Sequence, residues 1–417
     1  MEHRNPEHGR GMKLALVTAE YPPYGRGGAA VSANLLAREL RKRGIFVDIY
    51  VFDREHPCSE TDRGSTRYYH VINSRMWPLV NLQVVSELWK RLNKYDLVHV
   101  YPFAMGSLGF MKKIALKAPV VATLNGEEPA CINVRRWRKL GQRNCSNLQT
   151  IYCAFERAKR TEKVFVPGPV LAAYSVVQRT FAQKLDRYLA LSYALKRLYV
   201  SHGFPNDKIR VIPNMFDPEF ASRLQHLEVE KSREKTIVLY VGRLSPEKGM
   251  NHLINAFSAI RSVHAELWIV GTGPEEAKLR LMARKSGRHR DIKFLGYVKY
   301  FDLPLVYKRS DIFVNPVGEW LEPFNRTMLE AMLAELPIVA SDRGASPEIL
   351  NGTGLIYHNE SELASKIEML ICDDQMRKKL GESAYRKATR DFSPEVVCDH
   401  IVAEYGDICS AWKDTGL

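Results

Sequence analysis

Between residues 13 and 357 the chain alternates short β-branched apolar runs with longer helix-compatible stretches, and this alternation constrains its fold more than any other feature. The runs KLALVTA (13–19), FVDIYVF (46–52), LVHVY (97–101), PVVATLN (119–125), KVFVPG (163–168) and RYLALS (187–192) each read as a buried strand. Near-continuous apolar runs of this length suit strands covered on both faces, so the alternation predicts a parallel sheet with crossover helices. A second series follows the charged, weakly patterned stretch 217–235: TIVLYVG (236–242), ELWIVG (266–271), IKFLG (292–296), DIFVNP (311–316), PIVAS (337–341) and GLIY (354–357). A chain of 417 residues exceeds the roughly 250–300 that one core supports. The expectation is therefore two doubly wound α/β units, 12–213 and 214–390, followed by a final helix over 391–417. Ligands in such sheets bind beyond the carboxyl ends of the strands, which places the expected site in a cleft that the two units face.

The net charge of +14 is unevenly spread. Residues 1–200 hold 32 Lys and Arg against 16 Asp and Glu, a surplus of +16, whereas the remainder holds 29 against 31, or −2. The first half is thus expected to meet something anionic: nucleic acid, a phosphorylated acceptor or an acidic lipid surface. No stretch approaches the roughly 18 unbroken apolar residues of a membrane span. The opening MEHRNPEHGRGMK lacks the apolar core of a secretory signal, and seven cysteines suit free thiols in a reducing compartment, so the expected location is the cytoplasm.

The stretch EYPPYGRGGAAVSANLLARELRKRG (20–44) carries Gly25, Gly27 and Ala30 in a G-x-G-x-x-A array. In a dinucleotide fold these glycines follow the first strand almost directly, because the tight turn must present a helix N-terminus to pyrophosphate. Here TAEYPPY intervenes, and Pro22 and Pro23 force an extended excursion. Asp53 could mimic a ribose-binding acid, but a longer loop ending in a glycine-lined helix start fits better. Adjacent Gly27 and Gly28 leave free backbone N–H groups at that start.

The most informative stretch is NPVGEWLEPFNRTMLEAMLAELPIVASDRGASPEIL (315–350). A strand ends at Asn315 and Pro316, a loop carries Glu322, and a helix begins near Asn325 to Thr327. Glu322 on the loop can accept hydrogen bonds from sugar hydroxyls, and Glu330, one turn into the helix, from a ribose beside it. Between them the backbone N–H groups of Phe324, Asn325, Arg326 and Thr327 form a helix N-terminus, which attracts diphosphate.

This stretch resembles the retaining glycosyltransferases of the GT-B fold, in particular glycosyltransferase family 4, whose signature is a Glu-Pro-Phe loop with a second Glu after seven intervening residues. The resemblance runs through most of the chain: EYPPYGRGG, KIRVIPNMFDP, YVGRLSPEKGMNHLINAF (238–257), LWIVGTGPE (267–275), FLGYV (294–298) and GLIYHNESELASKI (354–367). It implies two Rossmann-like parallel-sheet domains facing a cleft, an N-terminal acceptor domain, a C-terminal nucleotide-sugar domain, and a C-terminal helix crossing back to the first. It also implies that Arg243 and Lys248, beside Gly242, grip the donor diphosphate and act with Glu322 in catalysis. Gly27 and Gly28 would complete the cradle from the opposite domain. A nucleoside diphosphate leaving group gains negative charge as the glycosidic bond breaks, so cations placed there favour the transition state over the ground state. The resemblance implies a nucleoside-diphosphate sugar as donor substrate and no cofactor, and because the sequence contains no Asp-x-Asp the expectation is that no divalent metal takes part.

Departures from the family pattern bear on the acceptor. Asn125 in TLNGEE stands where the family commonly has His, and it cannot titrate near neutrality. Glu127 or Glu128 could take an acceptor role, or simply be solvated. Asn325 replaces a common Gly and is expected to supply an unusual backbone angle; Glu335 replaces another and reads as surface drift. His99 is expected to be a packed strand histidine. INVRRWRKLGQR (132–143) interleaves Trp137 with Arg135, Arg136, Arg138, Lys139 and Arg143, which suits an anionic membrane surface or a solvated helix face. Cys131, Cys145 and Cys153 lack zinc-ligand spacing and read as free thiols or one local disulfide.

The resulting expectation is a retaining hexosyl-type transferase acting on a hydroxyl acceptor that is lipid-linked or otherwise anionic, peripheral on the cytoplasmic membrane face. Its rivals are a soluble-acceptor transferase, a sugar-nucleotide epimerase of the same fold, a dinucleotide oxidoreductase, and a non-catalytic nucleic-acid-binding protein, nucleic acid being the less expected partner.

Overall fold

The computed structural model describes residues 11–23, 27–53, 60–63, 65–70, 77–126, 129–130, 168–229, 234–262, 264–318 and 321–414. They form two compact units, Met1–Pro213 with Val397–Leu417, and Asn214–Val396.

The first unit runs β1 (Lys13–Thr18), α1 (Gly28–Lys42), β2 (Phe46–Asp53), β3 (Glu60–Arg63), β4 (Thr66–His70), α2 (Trp77–Leu88), β5 (Leu97–Val100), α3 (Met105–Ile114), β6 (Val120–Leu124), α4 (Gly168–Ala182), β7 (Arg187–Ala190), α5 (Tyr193–Ser201) and β8 (Ile209–Val211). Its sheet order is β3-β4-β2-β1-β5-β6-β7-β8, parallel except for the β3–β4 hairpin at one edge. Strands β1, β5 and β6 are buried over nearly their whole length and mostly apolar, with Thr18, His99 and Thr123 the buried polar residues among them, because both of their faces are covered.

The second unit runs α6 (Pro218–His226), β9 (Thr236–Val241), α7 (Met250–Ala259), β10 (Ala265–Val270), α8 (Glu276–Lys285), β11 (Ile292–Gly296), α9 (Leu303–Arg309), β12 (Ile312–Asn315), α10 (Arg326–Leu333), β13 (Ile338–Ser341), α11 (Ser346–Leu350), β14 (Leu355–Tyr357), α12 (Glu360–Cys372) and α13 (Asp374–Asp391). Its order, β11-β10-β9-β12-β13-β14, is all parallel and reverses direction between β9 and β12. The core gathers Val238, Leu267, Ile269, Ile312, Val314 and Val339 beneath the helices. A last helix, α14 (Pro394–Asp414), returns the chain to the first unit. There the Tyr405 hydroxyl meets His99 Nδ1 at 2.5 Å, and Glu404 faces Arg187 at 3.1 Å and Arg210 at 3.4 Å. Among the described residues no helix is long and apolar enough to cross a membrane.

The two parallel sheets agree with the expectation, and three strands and a helix go beyond it. β3 and β4, the edge hairpin, read ETDR and TRYYH and carry too little apolar alternation to stand out; β8 is only three residues long. Helix α6 lies inside the stretch taken as weakly patterned, yet it bears the start signals of an Asp217 N-cap, bonding the Glu219 N–H at 3.0 Å, and Pro218 at the first position. The expected strand 163–168 falls outside the described residues except for Gly168, which opens α4.

Candidate functional site

At the reversal point of the second sheet, two loops leave the carboxyl ends of β9 and β12. The β9 loop turns at Gly242, whose N–H donates to the Val270 carbonyl at 3.0 Å, and the Leu244 N–H donates to the Thr272 carbonyl at 3.0 Å. Close backbone approach requires glycine opposite it: a Cβ at Gly273 would lie 2.2 Å from the Leu244 carbonyl oxygen. At the loop's far end Gly249 holds φ +66°, and a Cβ there would lie 1.9 Å from the Pro316 carbonyl oxygen. The Gly318 N–H donates to the Glu247 carbonyl at 3.2 Å and fastens the β9 loop to the β12 loop. The β12 loop is anchored in turn where the Ala345 N–H donates to the Glu322 carbonyl at 3.0 Å. This framework brings the Lys248 ammonium onto the Glu322 carboxylate as a partly buried ion pair. Arg243, on the same β9 loop, is exposed.

The β12 loop feeds directly into α10. Asn325 caps it: the side-chain oxygen accepts from the Met328 N–H at 3.2 Å and the Thr327 hydroxyl at 2.6 Å, while Nδ2 donates to Asn315 Oδ1 at 2.7 Å. Its backbone is extended, with φ −96° and ψ 104°. The expectation of an unusual backbone angle is therefore corrected: asparagine serves here as a side-chain cap. Phe324 is buried against Phe392, ring centroids 5.9 Å apart, so only its backbone is left to face a ligand. Arg326 reaches the Met215 carbonyl at 3.5 Å. The first turn of α10 has no acidic residue, leaving the positive end of the helix uncompensated by carboxylate.

Glu330 lies one turn further, 7% exposed, with Oε2 accepting from the Tyr307 hydroxyl at 2.9 Å. Burial pushes its carboxyl up to about 7, against the pull of Arg326 and the Tyr307 hydrogen bond and with the repulsion of Asp217. Glu335, near the end of this segment, holds φ +58°. It occupies a left-handed position that favours glycine, so the reading of that replacement as mere surface drift is corrected.

In the first unit, Gly27 is the N-cap of α1 and Gly28 its first residue; a Cβ at Gly27 would lie 2.6 Å from Glu20 Oε2. Asn125 sits half-buried one residue beyond β6. Glu127, Glu128, Arg135, Arg136, Trp137, Cys131, Cys145 and Cys153 lie outside the described residues, as does Gly25. His99 is fully buried, its Nε2 2.8 Å from the Thr123 hydroxyl, and burial pushes it down to about 3. It is a packed strand histidine, as expected.

Sequence reasoning named the charged members of the second unit's site and missed their supports. Gly249, Gly273 and Gly344 were visible only as letters within quoted motifs, although a Cβ at Gly344 (φ +56°) would lie 2.4 Å from the Glu322 carbonyl oxygen. Tyr307 gave no local signal and Asp217 only that of a helix cap, because chain folding alone carries them to Glu330.

Comparison with known proteins places this site in a family. The family described as Glycosyltransferase Family 4 matches residues 26–220, and Glycosyl transferases group 1 matches residues 223–387. An uncharacterized glycosyltransferase of Methanocaldococcus jannaschii is 27% identical over 94% of this chain and 98% of its own length. An alpha-maltose-1-phosphate synthase of Mycobacterium tuberculosis is 25% identical over 96% and 100%. The crystal structure of Anabaena HepE in complex with UDP superposes with a TM-score of 0.69 at 21% identity, covering 95% of this chain and 100% of that one. With one family match on each half and this fold throughout, the chain belongs to the family 4, group 1 glycosyltransferases of GT-B architecture.

Proposed function

We propose that the protein transfers a sugar, with retention of anomeric configuration and without a divalent metal, from a nucleoside-diphosphate sugar to a hydroxyl acceptor. The observation that carries this reading is the convergence of Lys248, Glu322 and the α10 N-terminus on two loops pinned together by backbone contacts. Arg243, Lys248 and the N–H groups of Phe324 to Thr327 take the diphosphate, Glu322 takes hydroxyls of the transferred sugar, and Glu330 takes the ribose. Gly27 and Gly28 contribute N–H groups from the first unit. On donor binding Lys248 exchanges part of its contact with Glu322 for phosphate oxygen, freeing Glu322 for the sugar. The bond from the anomeric carbon to the β-phosphate oxygen breaks, the bond to the acceptor oxygen forms on the same face, and the acceptor proton passes to the leaving phosphate. No protein base is assigned.

The acceptor belongs to the basic first half, where the +16 surplus favours an anionic or lipid-linked molecule. Asn125, Glu127, Arg135, Arg136 and Trp137 are proposed to serve it, with peripheral contact to an anionic cytoplasmic membrane face. The maltose-1-phosphate named for one relative and the UDP bound to HepE support a nucleotide donor and a phosphorylated partner.

The test is release of nucleoside diphosphate from UDP-, GDP-, ADP- and dTDP-sugars in EDTA, with and without membrane lipid extract. Release from one donor is expected to rise with lipid and to fall on the order of 100- to 1,000-fold in Arg243→Ala. Conversion of donor with no acceptor present would instead indicate an epimerase. Salt-dependent nucleic-acid binding without turnover, unaffected by Glu322→Ala, would indicate a binding protein.

A further inference from the structure

Resting on the reading of Glu330 as the ribose acceptor, we propose that Tyr307 is a positioning residue for the donor nucleoside: its hydroxyl holds one carboxylate oxygen of Glu330 so that the other is presented to the ribose diol. The phenol is itself immobile. Tyr307 is fully buried, with its ring edge-on to Phe220 at 5.8 Å and tilted against Phe313 at 6.0 Å, so α6 and β12 fix where the hydroxyl lies. Two acceptors are within its reach, Glu330 Oε2 at 2.9 Å and the Thr327 carbonyl at 3.2 Å, and the charged, nearer one forms the stronger bond. A glutamate on a helix has three side-chain torsions, and a fixed donor at Oε2 selects among them.

The surroundings show why that donor matters. Arg326 favours the charged carboxylate, while burial and Asp217 oppose it; Asp217 in turn accepts from the Tyr300 hydroxyl at 3.3 Å. The Tyr307 hydrogen bond sits on the favouring side of this balance. Without it Glu330 shifts toward the protonated form, which donates through one oxygen and no longer accepts from both ribose hydroxyls. The loss falls on recognition of the nucleoside, because the other acceptor of the Tyr307 hydroxyl is the Thr327 carbonyl, whereas the diphosphate is assigned the Thr327 N–H.

Binding of UDP, GDP and ADP and of their 2′-deoxy counterparts, measured calorimetrically across pH 5–9, tests this. Wild type is expected to prefer the ribose form on the order of 10- to 100-fold, the range for hydrogen bonds to a charged group. Tyr307→Phe should lose about tenfold of that preference and move the acidic limb of binding to higher pH, with kcat at saturating donor within a few fold of wild type. Tyr300→Phe, an equally conservative change whose hydroxyl serves Asp217, should keep the preference; its loss in both variants would assign the effect to packing and overturn the proposal. Full ribose preference and an unmoved acidic limb in Tyr307→Phe, with preference abolished in Glu330→Gln, would overturn the role of Tyr307 alone. Preference retained in Glu330→Gln would remove the ribose reading and this proposal together.

Discussion

Glu330 holds a carboxyl group where burial works against its charge, and the cost is visible as a pH dependence. Its ordinary value of 4.5 rises to about 7 in the fold. Below 4.5 both folded and unfolded forms are protonated and nothing is lost; as pH rises toward 7 the unfolded chain ionises first and stability falls. Above 7 the full penalty applies, about 3 kcal/mol from a shift of this size. Glu330→Gln is therefore expected to raise the urea midpoint at pH 8 and to change it little at pH 4.5, while weakening donor binding, the usual conflict between stability and a working site. Glu335 offers a gain without that conflict. Its φ of +58° strains any side chain, so Glu335→Gly should stabilise the second unit by about 0.5–1 kcal/mol, read as a small rise in its melting temperature.

At the level of elements, the site depends on glycines whose backbones face other backbones. Gly249→Ala would drive a Cβ into the Pro316 carbonyl at φ +66°, and Gly296→Ala would meet the same strain at φ +69° with nothing within 4 Å. The expected contrast is a loss of more than about 3 kcal/mol and of turnover for the first, against about 1 kcal/mol and retained turnover for the second, measured by denaturation and donor hydrolysis. This contrast also marks what was legible in the sequence. Glu322, Glu330, Arg243 and Lys248 stand in runs whose order and spacing resemble a known family, and the strands around them are buried on both faces, so both appeared as patterns of letters. The edge strand β3 escaped because a sheet edge demands little apolar alternation, and β4 beside it because Thr66, Arg67 and His70 leave only the Tyr68–Tyr69 pair as an apolar run. Asn325 was noticed but given the wrong task, since a cap and a left-handed turn draw on the same residue type and only the backbone angle tells them apart. Tyr307 could not be found at all, because it stands 23 positions from its partner and no local rule joins them.

For the molecule as a whole, the two units are expected to respond to acid in opposite senses. In the first, burial pushes His99 down to about 3 and His202 down to about 4. Both contribute fully above 6.5, and that contribution is lost as pH falls below it, about 2 kcal/mol each by pH 5. In the second, Glu330 makes acid the favourable direction over the same interval. Calorimetry at pH 5 and pH 8 should show the melting transition of the first unit moving up with pH and that of the second moving down, and a common direction for both would contradict the assignment of these groups.

Helix α14 gives the chain a closing role for its last residues. Because Val397–Leu417 belongs with Met1–Pro213, the unit begun first is finished last, and Asn214–Val396 is in effect a guest inserted between two parts of its host. During synthesis the guest can acquire its full complement of strands while the host still lacks the partner of His99. A chain released at Val396 would carry a complete second sheet and a first unit with a buried histidine facing an empty groove, so a loss of only the final 21 residues should leave a protein folded in its second half and unfinished in its first.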